Sequence, residues 1–241
     1  MCIRDRYDVV LRPDLRQSLI ENNLFIIERL GYERQNVEPR LFYTRADAAK
    51  TEALFREHGI ANDNPRIVCI TQTSRTQRRG WPIRPLSSVL NHARSRYNAE
   101  IIFVGTESEA QEIEAIRAEV SETARSFAGQ TTIPMMAAVL ASSDLVLTLD
   151  TGNMHVARTA DVPMLILAPA WANSVEWLPM GFDRFHIMFG KLDPCSPPGC
   201  EIIQMDAERV IEAMDRLLTK FPPSSVARHR RIERNLSETR L

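Results

Sequence analysis

Residues 144–157 constrain the fold of this chain most, because they combine a buried strand, a polar turn and a helix. The apolar run Leu145 to Leu149 predicts a short strand that ends at Asp150. Thr151 and Gly152 form the turn, and the residues that follow have helical character. A strand, a tight turn and a helix in this order are typical of an open α/β sheet.

The turn is also a candidate ligand site. In open α/β sheets, ligands bind in the crevice beyond the carboxyl ends of the strands. A helix amino terminus there offers free backbone N–H groups and a partial positive charge, which suit a phosphate. Asp150, Thr151, Gly152 and His155 would all lie in that crevice. The same pattern is equally compatible with a simple turn beside a partly buried histidine.

After residue 65, strand and helix patterns alternate along the chain. We predict strands at 66–71, 100–105, 144–149 and 163–168, with helices at 83–97, 107–120, 132–141, 152–160 and 206–219. The strands are nearly continuous apolar runs, as in parallel sheets that are covered on both faces. The chain is therefore predicted to form an α/β fold with a Rossmann-like, doubly wound parallel sheet.

The chain ends differ from this alternating region. An amphipathic helix is expected at 15–30 and a second helix at 46–58, and a polar segment at 61–65 is typical of a linker. The last segment carries five Arg against two Glu, and we expect it to be solvated or frayed. The predicted division is a helical segment at 1–60, a Rossmann-like domain at 65–220 and a polar tail at 221–241.

Composition excludes few functions but narrows the class of protein. A net charge of −1 over 241 residues gives no reason to expect nucleic acid as a partner. Four cysteines in a chain of this length do not suggest a disulfide scaffold, which favours a reducing cytoplasm. Two of them, Cys195 and Cys200, are too few to predict a metal site. No strand end carries a close carboxylate pair, so no metal is expected.

A basic loop after the first predicted strand is a second candidate site. It comprises Thr73-Ser74-Arg75-Thr76-Gln77-Arg78-Arg79. Its hydroxyls and backbone N–H groups can donate to phosphate oxygens, and each guanidinium can pair with them through two bonds. A solvated surface loop is the alternative interpretation.

These motifs together resemble glycosyltransferase family 9, the lipopolysaccharide heptosyltransferase family. The segment from Asp150 to Ala157 is similar to the family's D-T-G-x-x-H-x-A signature, and the basic loop leads to a similar Trp-Pro at 81–82. Further matches in the same order are Val162-Pro163, Trp177-Leu-Pro-Met-Gly181 and the Cys-Pro segment at 195–200. The matches run from about residue 65 to 215.

The resemblance implies the carboxyl-terminal, nucleotide-sugar-binding half of a GT-B architecture, with most of the amino-terminal domain absent. Such an enzyme would transfer a sugar from a nucleotide diphosphate sugar, ADP-heptose or similar, with inversion and without a metal or other cofactor. Its acceptor would be a cell-envelope glycan, a lipopolysaccharide or a lipid-linked glycan. The protein would be cytoplasmic, and the missing domain would allow peripheral association with the inner membrane. The catalytic base would lie in that domain, so no catalytic residue is assigned.

The resemblance also implies which residues bind the donor, but it leaves the identity of the donor sugar open. It assigns donor binding to Thr73, Ser74, Arg75, Arg79, Glu107, Asp150, Thr151, Gly152 and His155. Glu107 matches the family's ribose-binding glutamate, with Glu109 as its rival, and either also fits a first-turn carboxylate favoured by the helix dipole. Ala168-Pro169-Ala170-Trp171 departs from the family's Phe-Gly-Pro-Thr-like turn, so the donor sugar stays open.

Two other functions are compatible with the same residues. One is a nucleotide-sugar-binding module without transferase activity of its own. The other is an epimerase or hydrolase of GT-B architecture that acts on UDP-sugars.

Overall fold

The computed structural model describes residues 14, 16–35, 38–71, 80–121, 123–169, 174–191 and 205–236. Its strands are β1 (Arg66–Ile70), β2 (Glu100–Phe103), β3 (Arg125–Ser126), β4 (Leu145–Leu149), β5 (Met164–Ala168) and β6 (Phe185–Phe189). The first helices are α1 (Leu19–Arg29), α2 (Arg45–Glu57), α3 (Ile83–Tyr97), α4 (Ala110–Val120) and α5 (Ile133–Ala141). The others are α6 (Gly152–Thr159), α7 (Ser174–Trp177), α8 (Ala207–Lys220) and α9 (Ser225–Asn235). A 3₁₀ turn at Glu107–Glu109 precedes α4.

All six strands of the described chain are parallel and form one sheet in the order β3-β2-β1-β4-β5-β6. This order places β1 beside β4, and the chain winds outward in opposite directions from that pair. The result confirms the predicted Rossmann-like fold, whose characteristic strand order is the same. The point of reversal opens a crevice at the carboxyl ends of β1 and β4.

The core lies on both faces of the sheet, because successive strand residues point to opposite sides. Ile67, Cys69 and Leu147 pack in one cluster with apolar residues of α3, α4 and α8. Val68 and Val146 point the other way and are equally inaccessible to solvent. Both faces are therefore covered, which explains why the strands are continuous apolar runs.

The described residues fall into two compact units. The smaller contains α1 and α7, and the larger contains the sheet and the remaining helices. In the smaller unit, Ser18 caps α1 by accepting a hydrogen bond from the Glu21 backbone N–H (3.2 Å). In the larger unit, α2 packs against α5. The domain boundaries remain predictions.

The predicted strands and helices differ from the structure mainly at their ends and at the sheet edges. The strand predicted at 100–105 ends at Phe103, and the helix predicted at 107–120 begins with the 3₁₀ turn. The edge strands β3 and β6 were not predicted, because Arg125–Ser126 is polar and β6 contains His186. Edge strands are covered on fewer sides, so their sequences carry a weaker apolar signal.

The expectation of a solvated or frayed tail was wrong for residues 225–235, which form α9. Ser224 Oγ caps this helix by accepting from the Ala227 N–H (3.3 Å). Arg228 on α9 is buried and forms an ion pair with buried Asp144. Its guanidinium also donates to the Asn64 carbonyl (3.1 Å) in the predicted linker. The high arginine content of this segment suggested that it is solvated, and so the helix was missed. The charge of Arg228 is instead paired with the buried carboxylate of Asp144.

Asp144 gathers several groups at the amino-terminal edge of the sheet. Its carboxylate accepts hydrogen bonds from the backbone N–H groups of Arg66 (2.9 Å) and Ser224 (3.1 Å), in addition to the Arg228 guanidinium. It therefore connects the start of β1 to α9. Removing one partner of a buried ion pair leaves the other charge uncompensated, which is strongly destabilising.

We expect Arg228→Ala to lower the free energy of unfolding by about 3–5 kcal/mol, measured by urea denaturation. The matched control is Arg216→Ala on α8, whose ion pair with Glu212 is solvent-exposed on both sides. That variant should lose no more than about 0.5 kcal/mol. Equal effects of the two variants would contradict the structural role assigned to α9.

Candidate functional site

The carboxyl ends of three neighbouring strands bring the candidate site together. Ile70 at the end of β1 is in register with Thr148 of β4, so Thr71 and Asp150 follow adjacent strands at the same edge. Glu107 follows β2, the neighbour of β1 on its other side. The crevice predicted from the sequence thus lies where the strand order reverses.

The amino terminus of α6 faces this crevice without a side-chain cap. Thr151 is the N-cap residue, yet its side chain makes no capping hydrogen bond, and its buried Oγ1 has no partner among the described residues. A Cβ on Gly152 would meet nothing within 4 Å, so there is open space beside the first turn. The first N–H groups of a helix have no intrahelical acceptor. This end of α6 therefore has donors and space for an anion.

Thr71 is a functional candidate that sequence reasoning missed. Its buried Oγ1 has no hydrogen-bond partner in the part of the chain that the structure describes, like that of Thr151 after the neighbouring strand. Buried hydroxyls are normally paired, so an orphaned one at this edge of the sheet is a candidate donor to a ligand. The available signal was its position directly after the apolar run of β1.

His155 and Asp150 are both half-buried beside the amino terminus of α6. Burial lowers the pKa of His155, and the nearby Asp150 carboxylate opposes that shift only in part. Burial likewise raises the pKa of Asp150, against the effect of His155. Both shifts disfavour charge in the unliganded crevice. A bound anion would favour the protonated imidazolium.

The two glutamates after β2 have different surroundings. Glu109 Oε2 accepts a hydrogen bond from the Thr106 backbone N–H (2.7 Å), so Glu109 closes the turn that begins α4. Glu107 is exposed, and we find no hydrogen bond or ion pair from its carboxylate to another described residue. Of the two, Glu107 is the one free to bind a ligand. Its binding of a ribose remains a prediction.

The remaining predicted site residues do not all fall within the described chain. Thr73, Ser74, Arg75 and Arg79 lie outside the described residues, as do both cysteines of the Cys-Pro segment. Trp81, which borders the basic loop, is buried, and its Nε1 donates to the Met205 carbonyl (3.1 Å). Trp81 therefore anchors the chain that leads into α3.

A second cavity, of about 470 Å³, lies between β6 and α8. Lys191, Arg209 and Arg216 line it together with Glu212. None of the sequence-predicted site residues lines it. Among the described residues, no three His, Cys, Asp or Glu side chains gather as metal ligands would. No described helix is long and apolar enough to cross a membrane.

The sequence matches the family model of glycosyltransferase family 9 (heptosyltransferase) over residues 6–168, which is more than half of the chain. The chain belongs to glycosyltransferase family 9. This membership confirms the resemblance drawn from the ordered motifs. No curated protein matches the sequence.

Solved structures share the fold of this family 9 chain. A glycosyltransferase family 9 structure from Veillonella parvula aligns with a TM-score of 0.75 and 18% identity, covering 87% of this chain and 62% of its own. E. coli ADP-heptose lps heptosyltransferase II aligns with a TM-score of 0.65 and 16% identity, and the alignment covers 79% of this chain and 56% of that protein. E. coli heptosyltransferase WaaC with ADP aligns with a TM-score of 0.61 and 17% identity, and the alignment covers 88% of this chain and 60% of that protein. The chain thus spans less than two thirds of each of these proteins.

The depressed pKa of His155 predicts a pH-dependent stability that a His155→Gln variant removes. Because the folded-state pKa lies below the ordinary value of 6.5, the unfolded chain takes up a proton first as the pH falls. The wild type should therefore lose unfolding free energy relative to the variant below about pH 7, and the difference should be constant above it. Urea denaturation at several pH values measures this difference.

The raised pKa of Asp150 acts in the opposite direction and at lower pH, because there the folded chain takes up the proton first. Asp150 is present in both proteins, so most of its effect cancels in the comparison. His229→Gln, at an exposed position of α9, is the control. If the free energies of unfolding of wild type and His155→Gln differ by the same amount from pH 8 to pH 5, burial does not lower the pKa of His155.

Proposed function

We propose that this family 9 chain is the nucleotide-sugar-binding part of a glycosyltransferase and holds the donor diphosphate at the β1–β4 crevice. The observation that carries the proposal is the uncapped amino terminus of α6 beside two unpaired buried hydroxyls, those of Thr71 and Thr151. Backbone N–H groups, hydroxyls and the helix dipole all suit phosphate oxygens.

The chemistry of the leaving group explains why such a site would be useful. Glycosyl transfer from a nucleotide diphosphate sugar leaves additional negative charge on the departing diphosphate. Donors fixed in position before the reaction stabilise that charge more in the transition state than in the bound donor. The α6 terminus would supply such donors, and Arg75 and Arg79 of the basic loop would add cationic ones. No metal is required in this scheme.

The donor that we propose is ADP-heptose or a similar nucleotide sugar. Support comes from family membership and from structural neighbours solved with ADP and with ADP-2-deoxy-2-fluoro heptose. Glu107 would accept hydrogen bonds from the ribose hydroxyls. Transfer would invert the anomeric carbon and deliver the sugar to a cell-envelope glycan or lipopolysaccharide on the cytoplasmic side of the inner membrane. The base that activates the acceptor hydroxyl would come from an amino-terminal domain.

Isothermal titration calorimetry with ADP tests this proposal on the chain as it stands. We expect ADP to bind, and Arg79→Ala to weaken binding about tenfold or more, because a charge-assisted phosphate contact is lost. The matched control is Arg230→Ala, at an exposed position of α9, which should bind as the wild type does.

The outcomes distinguish the proposal from its alternatives. Absence of ADP binding to the folded chain would contradict the site assignment. Tighter binding of UDP than of ADP, with turnover of a UDP-sugar in the absence of acceptor, would favour the epimerase or hydrolase. Donor binding without transfer by the full-length protein to any envelope glycan would favour a binding module.

A further inference from the structure

The loop after β3 passes so close to Glu107 that a side chain at residue 129 would press on it. Gly129 lies in this loop with a φ of +73°, and its N–H donates to the Gly105 carbonyl (3.1 Å) at the end of β2. A Cβ at Gly129 would lie 3.0 Å from Glu107 Cα and 3.2 Å from Glu107 Cβ. The loop thus packs directly on the backbone of the glutamate that follows β2 at the carboxyl edge of the sheet.

A side chain at residue 129 would therefore have to move Glu107. The nearest atoms include backbone, which cannot rotate away as the end of a flexible side chain does. Glu107 also belongs to a short 3₁₀ turn that Glu109 closes by accepting from the Thr106 N–H. A shift of Glu107 by a few tenths of an ångström would relieve the contact.

We propose that Gly129 is a positioning residue that fixes Glu107 for recognition of the vicinal hydroxyls of a ribonucleoside. The inference rests on the proposed function, because it takes the ligand to be a nucleotide bound at the β1–β4 crevice. Its new content is that the loop after β3 sets the preference for ribose over deoxyribose through Glu107, without touching the ligand.

The chemistry of the two hydroxyls makes this position sensitive. A carboxylate can accept hydrogen bonds from both the 2′ and 3′ hydroxyls when its oxygens are suitably placed. Hydrogen bonds prefer angles above about 150° and weaken steeply below about 120°, so a displaced or turned Glu107 carboxylate weakens both bonds together. A ligand without these hydroxyls gains nothing from the carboxylate and loses nothing when it moves.

The experiment compares ADP with 2′,3′-dideoxy-ADP by calorimetry on the 241-residue chain. Wild type should bind ADP about tenfold or more tightly than the dideoxy analogue, because hydrogen bonds to a charged group are lost. Gly129→Ala should lose a measurable part of that preference while it binds the dideoxy analogue nearly as well as wild type. Glu107→Ala should lose the preference too.

Gly59 provides a matched control for backbone strain. Its φ is +67°, and a Cβ there would meet nothing within 4 Å. Gly59→Ala therefore introduces similar left-handed strain without any contact. It should retain the full preference for ADP. In the double variant Glu107→Ala/Gly129→Ala, the second substitution should cause no further loss, because Gly129 acts through Glu107.

The possible results separate this inference from the proposed function. If wild type binds neither nucleotide, the proposed function fails, and this inference fails with it. If wild type prefers ADP and Gly129→Ala keeps that preference, the positioning role is wrong and the proposed function stands. Loss of preference in Gly59→Ala as well, or an additive loss in the double variant, would also overturn the positioning role.

Discussion

The hydrogen-bonded pairing of β1 with β4 organises the whole sheet, although two strands and three α-helices lie between them in the chain. β2 and β3 extend to one side of this pair, and β5 and β6 extend to the other. The strand order therefore reverses at this pair, and such a reversal is where α/β sheets bind ligands, beyond the carboxyl ends of the strands. The uncapped α6 terminus and Thr71 follow β4 and β1 at that edge, and Glu107 follows the neighbouring β2.

At the opposite, amino-terminal edge of the sheet, polar groups are paired with one another around a buried carboxylate. Asp144 sits immediately before β4 and accepts hydrogen bonds from Arg66, Ser224 and Arg228, which belong to β1, the start of α9 and α9 itself. A buried carboxylate with one ion-pair partner and two backbone donors is well satisfied. The two edges of the same strand pair therefore differ in character. The amino-terminal edge has paired polar groups, whereas at the carboxyl-terminal edge the hydroxyls of Thr71 and Thr151 have no partner among the described residues.

Sequence patterns predicted the central strands well because these are buried on both faces, so burial alone determines their composition. β4, β5 and most of β1 fall in the predicted places for that reason. The edge strands β3 and β6 and the helix α9 escaped prediction, since tertiary contacts compensate for their polar residues. Neither Arg228 nor His186 has a local signal that reveals its partner or its strand.

The candidate site likewise contains residues that local sequence could place and residues that depend on tertiary contacts. Asp150 to His155 could be placed from local sequence, because a strand, a turn and a helix are all encoded within a few residues. The choice between Glu107 and Glu109 depended on a hydrogen bond from Thr106 to a side chain, which spacing does not reveal. The close approach of Gly129 depends on the packing of a loop distant in sequence, so only the structure brings it to notice.

Nuclear magnetic resonance mapping of amide shifts on titration with ADP would test the central claim most directly, because the described residues offer a rival cavity between β6 and α8. We predict the largest changes at the backbone amides of Thr71, Gly152 and Glu107, around the β1–β4 crevice. Changes centred instead on Lys191, Arg209 and Arg216, which line the cavity between β6 and α8, would contradict the assignment of the nucleotide site.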